Sequence, residues 1–419
     1  MIGRSQWAAL GPRFYMLFGA YVVSDAGTWL YRLTLPLLVL HMTGSALQTA
    51  ALYALEYGPF LLLSLPGGVF ADRFDRRTLL IFGDLTAGLL ALALAVLVTG
   101  GLTALWAIYV VALLLACVEP IYHPAFQALV PAIVPEKGLD HANSLLQSTD
   151  NILSLAGPVL AGGLIAAFGY EASIYIDAGS FLGSAAIIVF IRVGARRLAV
   201  RAKDSPGFLA DLRGGLTYVT KVNKTLLAGS LLFTGTNLGI WLIQANLIYY
   251  LTTYLHMTST LVGVVFGAQG VGAVVGAAVA PAVIRRLGNG RTIVLSTIAA
   301  GLVTMTLLGL RNITGVSAAY ALVFALGSMN VVSWFTLRQR IVAPEMLGRV
   351  VAATRMVAYA SIPIASLVAG GLEQALHDMY LVILLGALIR CGVGVAGLRT
   401  SLMTRQGALG GEAVPEAAQ

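Results

Sequence analysis

Runs of about 20 mostly apolar residues return along the whole of this 419-residue chain, and nothing else in it restricts the fold so strongly. A bilayer core of about 30 Å demands stretches of that length. A hydropathy reading with a loose window places twelve of them, at 14–40, 46–71, 77–99, 104–128, 142–168, 171–193, 226–254, 259–284, 292–310, 315–341, 348–374 and 378–399. Charged residues make up 11% of the chain and hydrophobic ones 58%, whereas soluble domains carry about 25% charged residues. The expected class is an all-α polytopic membrane protein with twelve transmembrane helices.

The net charge of +8 suggests an acidic partner until its positions are read. With the N-terminus in the cytoplasm, the inner loops and helix ends take Arg4, Arg13, Arg73, Arg76, Arg77, Lys137, eight basic residues from Arg192 to Lys224, Arg285, Arg286, Arg291, Arg338, Arg340, Arg349, Arg355, Arg399 and Arg405. The outer loops keep little more than Arg311. That asymmetry is the positive-inside pattern, and it puts both termini in the cytoplasm of a multi-pass inner-membrane protein. A nucleic-acid partner is not expected, because basic and aromatic residues are not interleaved on one surface. The first span is too long for a removable signal peptide and lacks a small-residue cleavage site. Cys117 and Cys391 both fall inside spans, where they form neither a disulfide framework nor a zinc site.

The longest polar stretch, near 194–224, divides the chain into six spans and six. The expected domains are an N-terminal six-helix bundle at 1–193, a cytoplasmic linker at 194–224, a C-terminal bundle at 225–400 and a tail at 401–419. The halves echo one another. "IVPEKGLDHANSLL" from Ile133 precedes "GPVLAGGLIAAFG", and "VAPEMLGRVVAATR" from Val342 precedes "ASIPIASLVAGGLEQALH". Two pseudo-symmetric parallel halves are a known transporter architecture with its site near the midplane between them.

"PGGVFADRFDRR", Pro66 to Arg77, crowds scarce charges between two apolar runs. Orientation in the membrane explains the arginines but not Asp72 and Asp75, since acids contribute little to it. Gly67 and Gly68 permit close helix contact, and Asp72 is placed to meet a helix N-terminus near Glu345. "GGVFADRFDRRTLL" resembles the signature loop of the major facilitator superfamily, usually G-x-x-x-D-R-x-G-R-[RK], with Asp75 at the usual Gly position. "VVSDAGTWLYRLTLPLLVLHMTGSA", "IYIDAGSFLGSA" and "TLRQRIVAPEMLGRV" resemble a bacterial subset that includes macrolide efflux proteins and enterobactin-type siderophore exporters. The resemblance covers essentially the whole chain and implies the major facilitator fold. It also implies a cytoplasmic latch between the halves, made by Gly68, Asp72, Arg73, Asp75, Arg76 and Arg77, with Asp72 as the key acid. "AGPVLAGG", Ala156 to Gly163, resembles the Gly-Pro element of antiporters in that superfamily, with one residue extra. Gly157, Pro158, Gly162 and Gly163 are also readable as a small-residue packing face, and the two readings are compatible.

Ionisable residues inside a bilayer are costly, so each is a candidate for function. Asp25 and Arg32 share a face of the first span with Trp29 between them, about 10 Å apart along the axis, close enough to line one cavity but not to touch. Glu56 sits in the middle of the second span before Gly58 and Pro59, and Glu119 in the fourth before Pro120. Each acid suits a proton-coupling site, or a hydrogen-bonded structural acid facing another helix. Asp84, Asp150 and Asp177 lie nearer span ends and read as structural, and His123 reads as a satisfied polar contact. Spans seven to ten contain no acid. Asn237, Trp241 and Gln244 form one stripe and Asn330 and Trp334 another, a wall suited to a bulky amphipathic ligand or an ordinary bundle contact. Arg390 needs a partner, either a structural one or an anionic substrate.

No Gly-Lys dipeptide occurs, so no Walker A loop exists for an ATP-driven pump. Neither HExxH nor GxSxG occurs, and the five histidines at 41, 123, 141, 256 and 377 form no cluster, so neither an enzyme nor a metal site is expected. The sequence reads as a monomeric secondary transporter in a prokaryotic inner membrane, with the bilayer, protons and a small molecule as its partners. It needs no cofactor beyond the proton gradient. The expected activity is efflux of an amphipathic organic molecule, drug-like or a siderophore, by alternating access. An importer, and a non-transporting receptor, are the other readings.

Overall fold

A computed structural model describes residues 10–101, 104–135, 138–191, 208–342 and 344–403, without the side chains of 60–61, 64–73 and some further helix positions. Helix α1 is Gly11–Thr43, with Pro12 in its first turn, where a missing N–H costs nothing. It closes at Gly44, whose φ of 62° lets its N–H return to the Leu40 carbonyl. Then come α2 (Ala46–Arg73), α3 (Arg76–Thr99) and α4 (Leu105–Ile133). A helical stretch Leu139–Val189 is cut at Gly169, whose φ of 82° and ψ of 178° suit a residue without a side chain. Its two parts are α5 and α6.

A connector helix, Phe208–Thr217, runs through a π-turn at Tyr218–Val222 into α7 (Lys224–Gln244). The expected seventh span, 226–254, is not one straight helix. It breaks after Gln244 and resumes as a short turn, Leu247–Tyr249, and a π-turn, Tyr250–Tyr254. The last five are α8 (Ser259–Leu287), α9 (Asn289–Thr306), α10 (Ile313–Ile341), α11 (Pro344–Leu376) and α12 (Met379–Gly397). Oxygen-bearing side chains start several of them: Asp75, Asn223, Thr258, Asn312 and Asp378 each accept a backbone N–H two or three residues on. Eight helical stretches among the described residues are long and apolar enough to cross a membrane, one of them running through the Gly169 break. Helices α1 and α9 are more polar: Asp25 and Arg32 face a cavity, and Thr292, Ser296, Thr297 and Thr304 are buried against neighbours.

The two sets of six helices meet unequally along their length. At the end away from the termini, one apolar core is shared, with Leu33, Leu37 and Ile165 from the first six beside Leu247, Val262 and Ala369 from the second. Helix backbones touch there. A Cβ on Gly263 of α8 would lie 2.5 Å from the Pro158 carbonyl oxygen of α5, and one on Gly370 of α11 would lie 2.7 Å from the Leu47 Cα of α2. At the end bearing the termini the cores are separate among the described residues. One is built from Leu10, Phe14, Leu129 and Ile188, the other from Val219, Leu226, Leu337 and Leu402. The two halves therefore share a core at the far end, and at the end with the described termini each has its own among the described residues.

Candidate functional site

A cavity of about 460 Å³ lies inside the first six helices. Helix α1 gives it Tyr21, Asp25, Trp29 and Arg32, and the walls opposite come from α2, α3, α4, α5 and α6. Arg32 organises it. Its Nε is 3.5 Å from Glu56 Oε1 on α2, and its Nη2 is 3.6 Å from Glu119 Oε2 on α4. The guanidinium also lies over the Trp29 ring, 5.5 Å from its centroid. One cation thus ties three helices together through two acids. Glu119, with a side chain 59% exposed, is the side of this cluster open to the cavity.

Asp25 lines the same cavity about two turns from Arg32 without pairing with it, as the spacing on the first span requires. Below it, the Tyr21 hydroxyl donates to Asp150 of α5, and the Tyr21 ring packs on Phe126 at 5.0 Å. Asp84 of α3 accepts from Ser184 at 2.6 Å and from Tyr122 at 3.3 Å, the partners of a structural acid. His123 meets Gln127 at 3.4 Å.

The residues singled out on the later helices lie elsewhere, and none of them lines this cavity. Asn330 is buried and donates to Thr297 Oγ1 at 2.7 Å and to the Ile293 carbonyl at 3.2 Å, so it joins α10 to α9. Trp334 is buried against Gly229 of α7 and stacks on Phe233 at 6.2 Å. An i, i+4 stripe says that a face is buried but not against what, and here the partner is the bundle itself. Arg390 is 1% exposed, with its Nη1 3.3 Å from Thr304 Oγ1. Asn237 donates to its own helix at Phe233, 3.0 Å away, and Gln244 exchanges amide hydrogen bonds of 3.3 Å with Gln269 of α8. Trp241 comes nearest to the first half: its ring centroid is 4.9 Å from that of Tyr57 and 5.8 Å from that of Tyr53, both on α2.

The charged loop divides. The side chains of Asp72 and Arg73, and the surroundings of Gly68, lie outside what is described. Asp75 caps α3, with Oδ1 accepting from the Thr78 N–H and hydroxyl at 2.8 Å each. Arg76 donates to the Ala128 carbonyl of α4 at 2.8 Å, and Arg77 to Ile188 at 3.2 Å and to Val189, the last carbonyls of α6. Among the described residues both arginines thus bond carbonyls of their own half, and Val189 ends α6, where carbonyls attract cations. On α5, a Cβ at Gly157 would strike the Trp29 side chain at 2.7 Å, and one at Gly162 the Ser259 carbonyl oxygen at 2.6 Å, whereas Gly163 faces open space. The Gly-Pro element is thus a contact with α1 on one side and with α8 on the other.

A family model described as Major Facilitator Superfamily matches residues 17–366. The chain belongs to that superfamily. Among curated relatives of this superfamily member, the multidrug efflux pump Tap of Mycolicibacterium fortuitum is 28% identical over 392 residues, 90% of this chain and 94% of Tap. Macrolide efflux protein A of Streptococcus pyogenes is 25% identical over 224 residues, 54% of each chain. The crystal structure of the nucleoside transporter NupG superposes with a TM-score of 0.73 at 12% identity, covering 93% of this chain and 98% of that one. The fold is that of a major facilitator transporter, and the chain is a membrane transporter with efflux pumps among its relatives.

Proposed function

We propose that the protein exports an amphipathic, drug-like organic molecule across a prokaryotic inner membrane in exchange for protons. Both termini then lie in the cytoplasm. The observation that carries this reading is Arg32 held between Glu56 and Glu119 in a water-reached cavity. Protonating either acid removes one of the two attractions that tie α1 to α2 and α4. Each acid is therefore a proton site and a mechanical joint at once. Asp25, beside them and not ion-paired with Arg32, takes a proton without breaking a pair, so it is the first coupling acid. Proton occupancy of Asp25, with or without Glu56 and Glu119, alternates with substrate occupancy. Each ligand favours the conformation that binds it better.

The shared core at the far end seals that side, and on this reading the end that carries the termini admits substrate from the cytoplasm. In the outward state the Asp72 loop holds the cytoplasmic side shut. The relatives named for multidrug and macrolide efflux support export of drug-like molecules. The transporter acts as a monomer and uses no cofactor.

The test is proton flux in inverted vesicles, with a pH gradient reported by a quenched acridine dye. A macrolide, a cationic dye and a catecholate siderophore are added in turn. Fluorescence recovery with one of them, absent in Asp25→Asn, is the expected result. Recovery undiminished in Asp25→Asn, Glu56→Gln and Glu119→Gln alike would remove these acids from the mechanism. No recovery with any compound would favour an importer.

A further inference from the structure

Two acids are sealed inside the first six helices, and they are housed differently. Asp84 is 2% exposed and has the two hydroxyl donors described above. Asp177 on α6 is 0% exposed, and neither of its carboxyl oxygens has a hydrogen-bond partner. The nearby Ser180 hydroxyl is spent on the Asp177 backbone carbonyl, at 2.7 Å. What covers the carboxyl is the backbone of α1. A Cβ on Gly27 would sit 2.9 Å from Asp177 Oδ1 and 1.9 Å from Ser180 Oγ, so only a glycine lets the two helices close over it.

The titratable group beside Asp177 is Tyr31 of α1. Asp25 and Arg32 on α1 and Asp84 on α3 share the cavity wall with it, but no ion pair reaches Asp177 among the described residues. A carboxylate here would give up its hydration for nothing in return. A neutral acid suits the place.

We infer that Asp177 is a second proton-binding site of this transporter, holding a proton while Gly27 seals it and passing that proton to cavity water when α1 moves off α6. The proton leaves the carboxyl oxygen for water, and a carboxylate remains. Helix α1 also carries Asp25 and Arg32, so the movement that breaks the Arg32 pairs is the one that uncovers Asp177. That its release is tied to export rests on the proton-coupled reading above; that it holds a proton does not.

Infrared difference spectroscopy on the full-length protein in lipid decides proton occupancy without any substrate. The wild type is expected to show, at neutral pH, the high-frequency carbonyl stretch of a protonated carboxyl lacking hydrogen bonds. Asp177→Asn, close in shape to the neutral acid, is expected to lose that band. Gly27→Ala leaves the carboxyl in place but pries the helices apart, and is expected to convert the band into carboxylate absorption. A spectrum unchanged in Asp177→Asn, or a band that survives Gly27→Ala, overturns the inference. The second arm is vesicle proton flux driven by ethidium. If the wild type moves protons, Asp177→Asn is expected to fall to the level of empty vesicles, and undiminished flux overturns the coupling. If the wild type moves none, it is the exporter reading that fails, and the infrared arm still decides whether Asp177 carries a proton.

Discussion

The two halves share an architecture and differ in what fills it. The first six helices surround a cavity with Asp25, Glu56, Glu119, Asp150 and Arg32 on its wall and the buried Asp84 and Asp177 just behind it. The second six have no acid between Lys224 and Pro344. Some of their polar groups pair in small neutral sets, Gln244 with Gln269 and Asn330 with Thr297, and their buried cations Arg390 and Arg338 rest on the hydroxyls of Thr304 and Thr354. Buried charge is costly wherever it occurs, and Glu373, Arg338 and Arg390 are buried in the second half too, but the acids grouped around a cavity lie in the first, which is where the proposed mechanism puts the chemistry. On the proposed mechanism the other half is the body the first moves against, and the glycine contacts of α5 with α8 and of α2 with α11 are among the places where the two touch.

Substitutions can break or sharpen that contrast. The largest effect is expected at Arg32. Arg32→Gln leaves Glu56 and Glu119 facing each other without a cation, and substrate-driven proton flux should vanish. Arg32→Lys should restore only part of it, since an ammonium cannot serve two carboxylates in the planar fork geometry of arginine. Trp334→Ala should act on stability alone. It empties the space beside Gly229 and should cost about 3–5 kcal/mol, seen as a lower melting temperature with dye affinity unchanged. A loss of affinity at equal stability would make Trp334 a substrate contact after all. Gln244→Ala should be the mildest, removing one reciprocal amide pair worth about 0.6 kcal/mol by the average for polar contacts in membranes, read by thermal melting in lipid.

Much of the fold is legible in the sequence because membrane helices are dictated by length and apolarity. The spans from 46 and 77 start within a residue of α2 and α3, and Gly169 falls between the fifth and sixth. The cavity is legible in part. Intramembrane cost alone singles out Asp25, Arg32, Glu56 and Glu119, but their meeting on one arginine needs three helices to be placed. The polar stripes on the seventh and tenth spans look like a ligand wall by composition, yet Asn330 and Trp334 turn into the bundle, because periodicity identifies a buried face without naming its neighbour. Asp177 is the reverse case. Its place near a span end suggests a structural acid, and the lack of any donor around it is visible only once Gly27 is packed on it. Arg76 and Arg77 look like latch cations beside Asp72, and the carbonyls of Ala128 and Ile188 that they also bond are partners a sequence cannot show.

The central claim is that the chemistry resides in the first half. The most direct test compares two neutralisations in the same inverted vesicles with the same transported dye. In one, Glu119→Gln removes an acid from the Arg32 cluster; in the other, Arg390→Met removes the most deeply buried cation of the second half among the described residues. The account predicts that substrate-driven proton flux collapses in the first and stays near wild type in the second, with protein levels equal. Flux that survives Glu119→Gln and is lost in Arg390→Met would place the chemistry in the second half and contradict it.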